Sequence, residues 1–155
     1  MDRTSFAMGV VMERRILANR WQTEQWVPIA VDTDAAESAP PQLIYKDMSC
    51  ERWLHPGLEM RLYRDEAEGY FLNCSTAQPV VFVSWRMEED RARPWLITAS
   101  YNEASRLLDA GEQVEGVPMP EPVLRDVSAY VQLHYRPQPK KRIRPPSFRG
   151  ARRDE

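Results

Sequence analysis

Histidine and cysteine, the residues most often recruited for metal binding and nucleophilic attack, number only two each: His55, His134, Cys50 and Cys74. None falls at the spacing of a Cys/His zinc site, and neither cysteine belongs to a C-x-x-C pair. Cys50 and His55 stand five apart, which permits a nucleophile–base pair on paper. Their place beside Trp53 fits structural residues better. His134 falls on the apolar side of a helical pattern and reads as a packed helix histidine. The carboxylate runs Asp65-Glu-Ala-Glu68 and Glu88-Glu-Asp90 could supply acid–base groups, but both sit between strand-like segments, where solvated turn charge is the ordinary explanation. No G-x-x-x-x-G-K-S/T and no G-x-G-x-x-G occurs, and six scattered glycines build no phosphate cradle. The sequence therefore predicts no catalytic residue, no metal and no cofactor.

The segment with an affirmative signal is the C-terminal end. Lys140, Lys141, Arg142 and Arg144 form a cationic cluster around Ile143, and Phe148 offers a ring for stacking or anchoring. Residues 136–155 hold eight basic and two acidic residues, a net of +6, which leaves 13 basic against 21 acidic in 1–135, a net of −8. The overall charge of −2 hides this division. A cationic segment of this kind can bind nucleic acid, an anionic membrane or an acidic protein surface. The acidic remainder would repel phosphates, so a protein partner, or the chain's own acidic part, suits the charges better.

These residues need a frame. A chain of 155 residues with 43% hydrophobic content, five Trp, six Tyr and four Phe can bury one ordinary core. Thirteen Pro against six Gly favours short elements with stiff connections. Phe6 to Ile16 reads as a strand, and so does Trp26 to Val31, where Pro28 marks an edge or bulged strand. Asp32 to Pro41 reads as an exposed loop, Gln42 to Met48 as a short strand, and Trp53-Leu54 as a piece stopped by the turn dipeptide Pro56-Gly57. Leu58 to Arg64 alternates apolar and polar residues as a half-buried strand does. Asp65 to Gly69 is expected to turn it back into a strand over Tyr70 to Cys74. Pro79 to Trp85 and Trp95 to Ser100 are further strands joined by a charged turn, Arg86 to Arg93.

The pattern then changes. Asn102 can cap a helix over Glu103 to Ala110, with Gly111 in the C′ position, and Glu112 to Val117 suits a short strand. Pro122 opens a second helix whose Val123, Leu124, Val127, Tyr130, Val131 and His134 make one stripe. Strands first and helices last predict an α+β fold: an antiparallel meander sheet or partly open barrel of about six to seven strands with two C-terminal helices. The expected organisation is one domain over 1–135 and a disordered basic Pro/Arg-rich tail over 136–155, which carries too little apolar area to offset its ordering. The start Met1-Asp-Arg-Thr-Ser5 lacks an apolar signal region and no run reaches membrane-spanning length, so a cytoplasmic address is expected.

Several stretches carry a resemblance. Gly9-Val-Val-Met-Glu-Arg-Arg15 with Trp21, Trp26-Val-Pro-Ile-Ala-Val31, Glu68-Gly-Tyr70 with Asn73, and Pro94-Trp95 through Tyr101-Asn-Glu-Ala104 to Glu121 are similar to an uncharacterised proteobacterial domain-of-unknown-function family. Members are often encoded near molybdenum- or tungsten-containing formate dehydrogenases and their maturation factors. The resemblance implies an accessory or assembly role around such an enzyme and no catalytic residues. Some relatives bear a label for molybdopterin-guanine-dinucleotide synthesis, which the missing glycine-rich nucleotide-binding start excludes here. A non-enzymatic protein that binds a redox enzyme subunit or maturation factor is thus the leading expectation. The alternatives are a nucleic-acid-binding protein acting through the tail, and a small enzyme or ligand-binding barrel. Besides the tail, the Tyr101–Glu121 segment, with Tyr101, Glu103, Glu112 and Glu115, is the expected interaction surface.

Overall fold

The structure, a computed structural model, describes residues 3–137. Its first sheet is built on β1 (Ser5–Ile16), which pairs antiparallel on one side with β2 (Glu24–Asp32) and on the other with β4 (Cys50–Arg61); β3 (Gln42–Lys46) closes the order β2-β1-β4-β3. The second sheet has the order β6-β5-β7, from β5 (Val80–Glu88), β6 (Arg91–Thr98) and β7 (Gln113–Pro118), again antiparallel. Three helices complete the described residues: α1 (Ala67–Cys74), α2 (Tyr101–Asp109) and α3 (Glu121–His134). The α+β class and the strand number are as expected. The strands divide between two sheets, and among the described residues no barrel closes.

Alternation explains the core. Phe6, Met8, Val10 and Met12 of β1 and Met60 of β4 share a core with Val81, Val83 and Trp85 of β5, Ile97 of β6 and Val117 of β7. Tyr70 of α1 and Val123, Val127 and Tyr130 of α3 join the same cluster, with the Tyr70 and Tyr130 rings edge-on at 5.9 Å. Each such side chain contributes about 1.5–3 kcal/mol on leaving water, so this one cluster holds both sheets and both helices. Three of the four strand prolines lie on edge strands, Pro28 on β2, Pro94 on β6 and Pro118 on β7, and the fourth, Pro56 on the inner strand β4, sits at a bulge. Pro28 also stands beside a register shift opposite Val11/Met12, so β2 is both edge and bulged.

Four expectations change. Pro56-Gly57 does not stop a strand, because β4 runs through it; the dipeptide lies opposite Gly9 at a register shift, with Gly57 at φ 79°. The loop after β2 stabilises this bulge from outside, for the Gly57 N–H donates to the Ala35 carbonyl at 3.0 Å. Tyr70 to Cys74 is helix and not strand. The Tyr70 hydroxyl accepts from the Tyr63 N–H at 2.9 Å and Asn73 reaches two strands, so tertiary contacts decide what local propensity left open. Ser100, not Asn102, caps α2: its Oγ accepts from the Glu103 N–H at 3.0 Å. The Arg86–Arg93 turn shrinks to Glu89 and Asp90, both with positive φ as a two-residue hairpin turn requires, and pairing runs up to Glu88 and from Arg91.

The C-terminal end of α2 follows the sequence. Gly111 has φ 87°, its N–H donates to the Leu108 carbonyl, and the Glu112 N–H donates to the Leu107 carbonyl. That is the Schellman arrangement a C′ glycine permits.

Candidate functional site

Two turns gather at one end of the first sheet. There β1 runs out at Ile16, β2 begins at Glu24, β3 ends at Lys46 and β4 begins at Cys50. The β1–β2 loop presents Trp21, 88% exposed, and the β3–β4 turn presents Met48, 96% exposed. Ile16 lies between them, half-exposed, its N–H donating to the Ser49 carbonyl at 2.9 Å. The short edge strand β3 adds Leu43, Ile44 and Tyr45, each more than two-fifths exposed. These exposed apolar side chains lie on the two turns and the edge strand at this end of the sheet.

The end is stiff beneath those side chains. Arg14, in the middle strand, pairs with Glu24 (Nε–Oε1 2.7 Å) and approaches Glu51 (Nη1–Oε2 3.5 Å). Each of these carboxylates also accepts an indole N–H, Trp26 to Glu24 at 3.2 Å and Trp53 to Glu51 at 3.1 Å. Arg91 of the second sheet lies over the Trp53 ring at 4.4 Å. On the opposite face, buried Glu13 accepts from Arg15 at 2.6 Å and Arg52 at 2.9 Å. Burial alone would raise the Glu13 carboxyl, but these two guanidinium groups more than offset it and hold it below its ordinary value. Asp47 fixes the β3–β4 turn. It accepts from the Tyr45 hydroxyl at 2.6 Å, from Ser49 N–H and Oγ, and from the Cys50 N–H, which together hold its carboxyl far below the usual range. Met48 is thus displayed on a turn locked from below.

The residues singled out from sequence fall elsewhere. Lys140, Lys141, Arg142, Arg144 and Phe148 lie outside the described residues. Tyr101 opens α2, half-exposed, with its ring edge-on to Phe82 at 6.3 Å. Glu103 is partly buried in the first turn of α2. Glu112 is held by Arg86 through two bonds, at 3.1 and 2.7 Å, and Arg86 in turn covers Trp95 at 3.8 Å. Glu115 lies on β7, facing a cleft of about 430 Å³ shared with Trp26, Trp85 and Gln113. The four lie on one connected stretch of chain and make separate contacts. Trp21 and Met48 were missed as candidates, although a tryptophan inside a turn-forming Asn-Arg-Trp stretch is a readable signal, since no strand face is there to bury it.

The chemistry-bearing residues are dispersed as well. Cys50 is buried, and burial pushes its thiol up, away from the thiolate a nucleophile needs. His55 lies on β4 beside Arg93 in a separate hollow with Glu88, Glu89 and Arg91. His134 packs against the Tyr130 ring at 4.3 Å. Among the described residues no group of three His, Cys, Asp or Glu side chains is placed to hold a metal ion. No described helix is long and apolar enough to cross a membrane.

The family described as "Protein of unknown function (DUF3305)" matches residues 7–144, and the chain belongs to it. No curated protein and no solved structure matches.

Proposed function

We propose that this DUF3305 member is a cytoplasmic binding protein and not a catalyst, serving as an accessory or assembly factor for a larger redox enzyme. The observation that carries the reading is the apolar end of the first sheet: Trp21 and Met48 stand almost wholly in water on turns locked by Arg14, Glu24, Glu51 and Asp47. Burying these two side chains in a partner removes large apolar area from water, and a few such anchors supply much of the binding energy of an interface. The identity of that partner, a formate dehydrogenase subunit or one of its maturation factors, rests on the family resemblance in the sequence.

The test is affinity capture from native cells with the intact chain and with a Trp21→Ala/Met48→Ala variant as baits. The intact chain is expected to retain a formate dehydrogenase subunit or maturation factor. Losing two anchors at more than about 1 kcal/mol each is expected to weaken capture by roughly tenfold or more. Recovery of neither protein, or equal recovery by both baits, would falsify this reading.

A further inference from the structure

The last described residues do not simply leave the surface. Tyr135 lays its ring on Phe71 of α1, with centroids 4.6 Å apart and planes at 20°. Arg136 donates from Nη1 to the carbonyls of Gln132 (3.2 Å) and Tyr135 (3.1 Å), completing the end of α3. The chain therefore reaches Pro137 pinned beside α1. Around that point α1 keeps apolar surface in water: Phe71 is 39% and Leu72 40% exposed even with Tyr135 in place. Glu68 lies one turn earlier on the same helix, within side-chain reach of both. Neither Glu68 nor Asp65, just before the helix, forms an ion pair with any cation among the described residues.

We infer that the segment Lys140-Lys-Arg-Ile-Arg144 docks on this face of its own domain, with Ile143 against Phe71 and Leu72 and its cations beside Glu68 and Asp65. Three observations converge on that occupant. Lys140 follows Pro137 by three residues and Arg144 by seven, so the segment reaches about 10–24 Å when extended, whereas an eight-residue helix such as α1 is about 12 Å long. Its charge opposes that of the domain, and its one apolar residue sits among the cations as the apolar patch sits beside the carboxylates. The family match ends at residue 144, so the same segment that carries the cations belongs to the unit the family defines.

The test compares amide spectra of the full ¹⁵N-labelled chain with a Lys140→Gln/Lys141→Gln/Arg142→Gln/Arg144→Gln variant. Unchanged amide signals from the core residues Val10, Val83 and Val127 show that the variant keeps the fold. Docking predicts shift differences at Glu68, Phe71 and Leu72 that are unchanged on dilution. Those differences should collapse at about 1 M salt, where the screening length falls to about 3 Å. Coincident α1 signals in the two proteins overturn the inference. So do differences that fade on dilution, because the segment then docks on a second copy. Neither readout involves Trp21 or Met48, so its failure and that of the proposed function are separate events.

Discussion

Single side chains make the sharpest claims about this fold. Asn73 is 2% exposed, and its Nδ2 donates to the carbonyls of Val80 (2.7 Å) and Ala99 (2.8 Å) while its Oδ1 accepts from the Val80 N–H at 3.1 Å. One amide thus joins the end of α1 to the start of β5 and the exit of β6. Asn73→Ala leaves the buried Ala99 carbonyl and the half-buried Val80 N–H and carbonyl without this partner and is expected to cost about 2–4 kcal/mol in urea unfolding. Asn73→Asp, which presents oxygen to two carbonyls, should be no better. His55 gives a pH signature. Burial first, and Arg93 second, hold its ring neutral with a pKa of about 4 against the ordinary 6.5. On acidification the unfolded chain takes up the proton first, so the stability conferred by the neutral ring is complete above 6.5 and is lost as pH falls from 6.5 toward 4. Because the ring is partly solvated, the expected loss is about 1–2 kcal/mol rather than the full shift. His55→Gln should flatten unfolding free energy over that window; an unaltered slope would remove His55 as its source.

At the scale of elements, α1 shows how a helix can be imposed from outside. Gly69 sits inside it, and a methyl group there would overlap Ser100 Oγ and come within 3.1 Å of the Asn102 nitrogen. An alanine inside a helix ordinarily gains about 1 kcal/mol over glycine. Here Gly69→Ala must displace Ser100, whose Oγ caps α2 and donates to Glu66 at 2.6 Å. A net loss of about 1–3 kcal/mol is expected instead. Ser100→Ala should lose about 1 kcal/mol alone, and the double variant should fall short of the sum, because both changes break one cap. The same contact explains why α1 is not legible in the sequence. Tyr70-Phe-Leu has strand propensity, no side chain caps the helix at Glu66, and Ser100 and Val80 lie far along the chain. The strands were readable because Leu58 to Leu62 and Phe6 to Met12 carry their own period, and Pro28 named an edge. Pro56-Gly57 misled for the opposite reason. A bulge and a turn ask for the same residues, and only the register opposite Gly9 separates them.

For the whole molecule, the acidic domain, the cationic segment and the apolar end make different demands on a partner, and salt separates them. The segment's cations and the −8 of residues 1–135 act through charge, which weakens as the screening length shortens. Trp21 and Met48 act through apolar area, which added salt leaves intact or strengthens. A partner held at the apolar end should therefore stay captured as salt rises from about 0.1 M to about 1 M, while the four-Gln variant captures it as well as the intact chain does. A nucleic acid held by Lys140, Lys141, Arg142 and Arg144 behaves in the reverse way. Its affinity should fall steeply with salt, with a slope in log–log terms no greater than about 4, and should vanish in the four-Gln variant. Titrating labelled duplex and single-stranded DNA into the intact chain over that salt range measures the second case directly. The expected result is weak, non-specific binding, because a domain of net −8 stands behind the segment and the α1 face competes for the same cations. Tight DNA binding at about 0.1 M salt that falls steeply as salt is added and vanishes in the four-Gln variant would place the working surface on the tail and not on Trp21 and Met48.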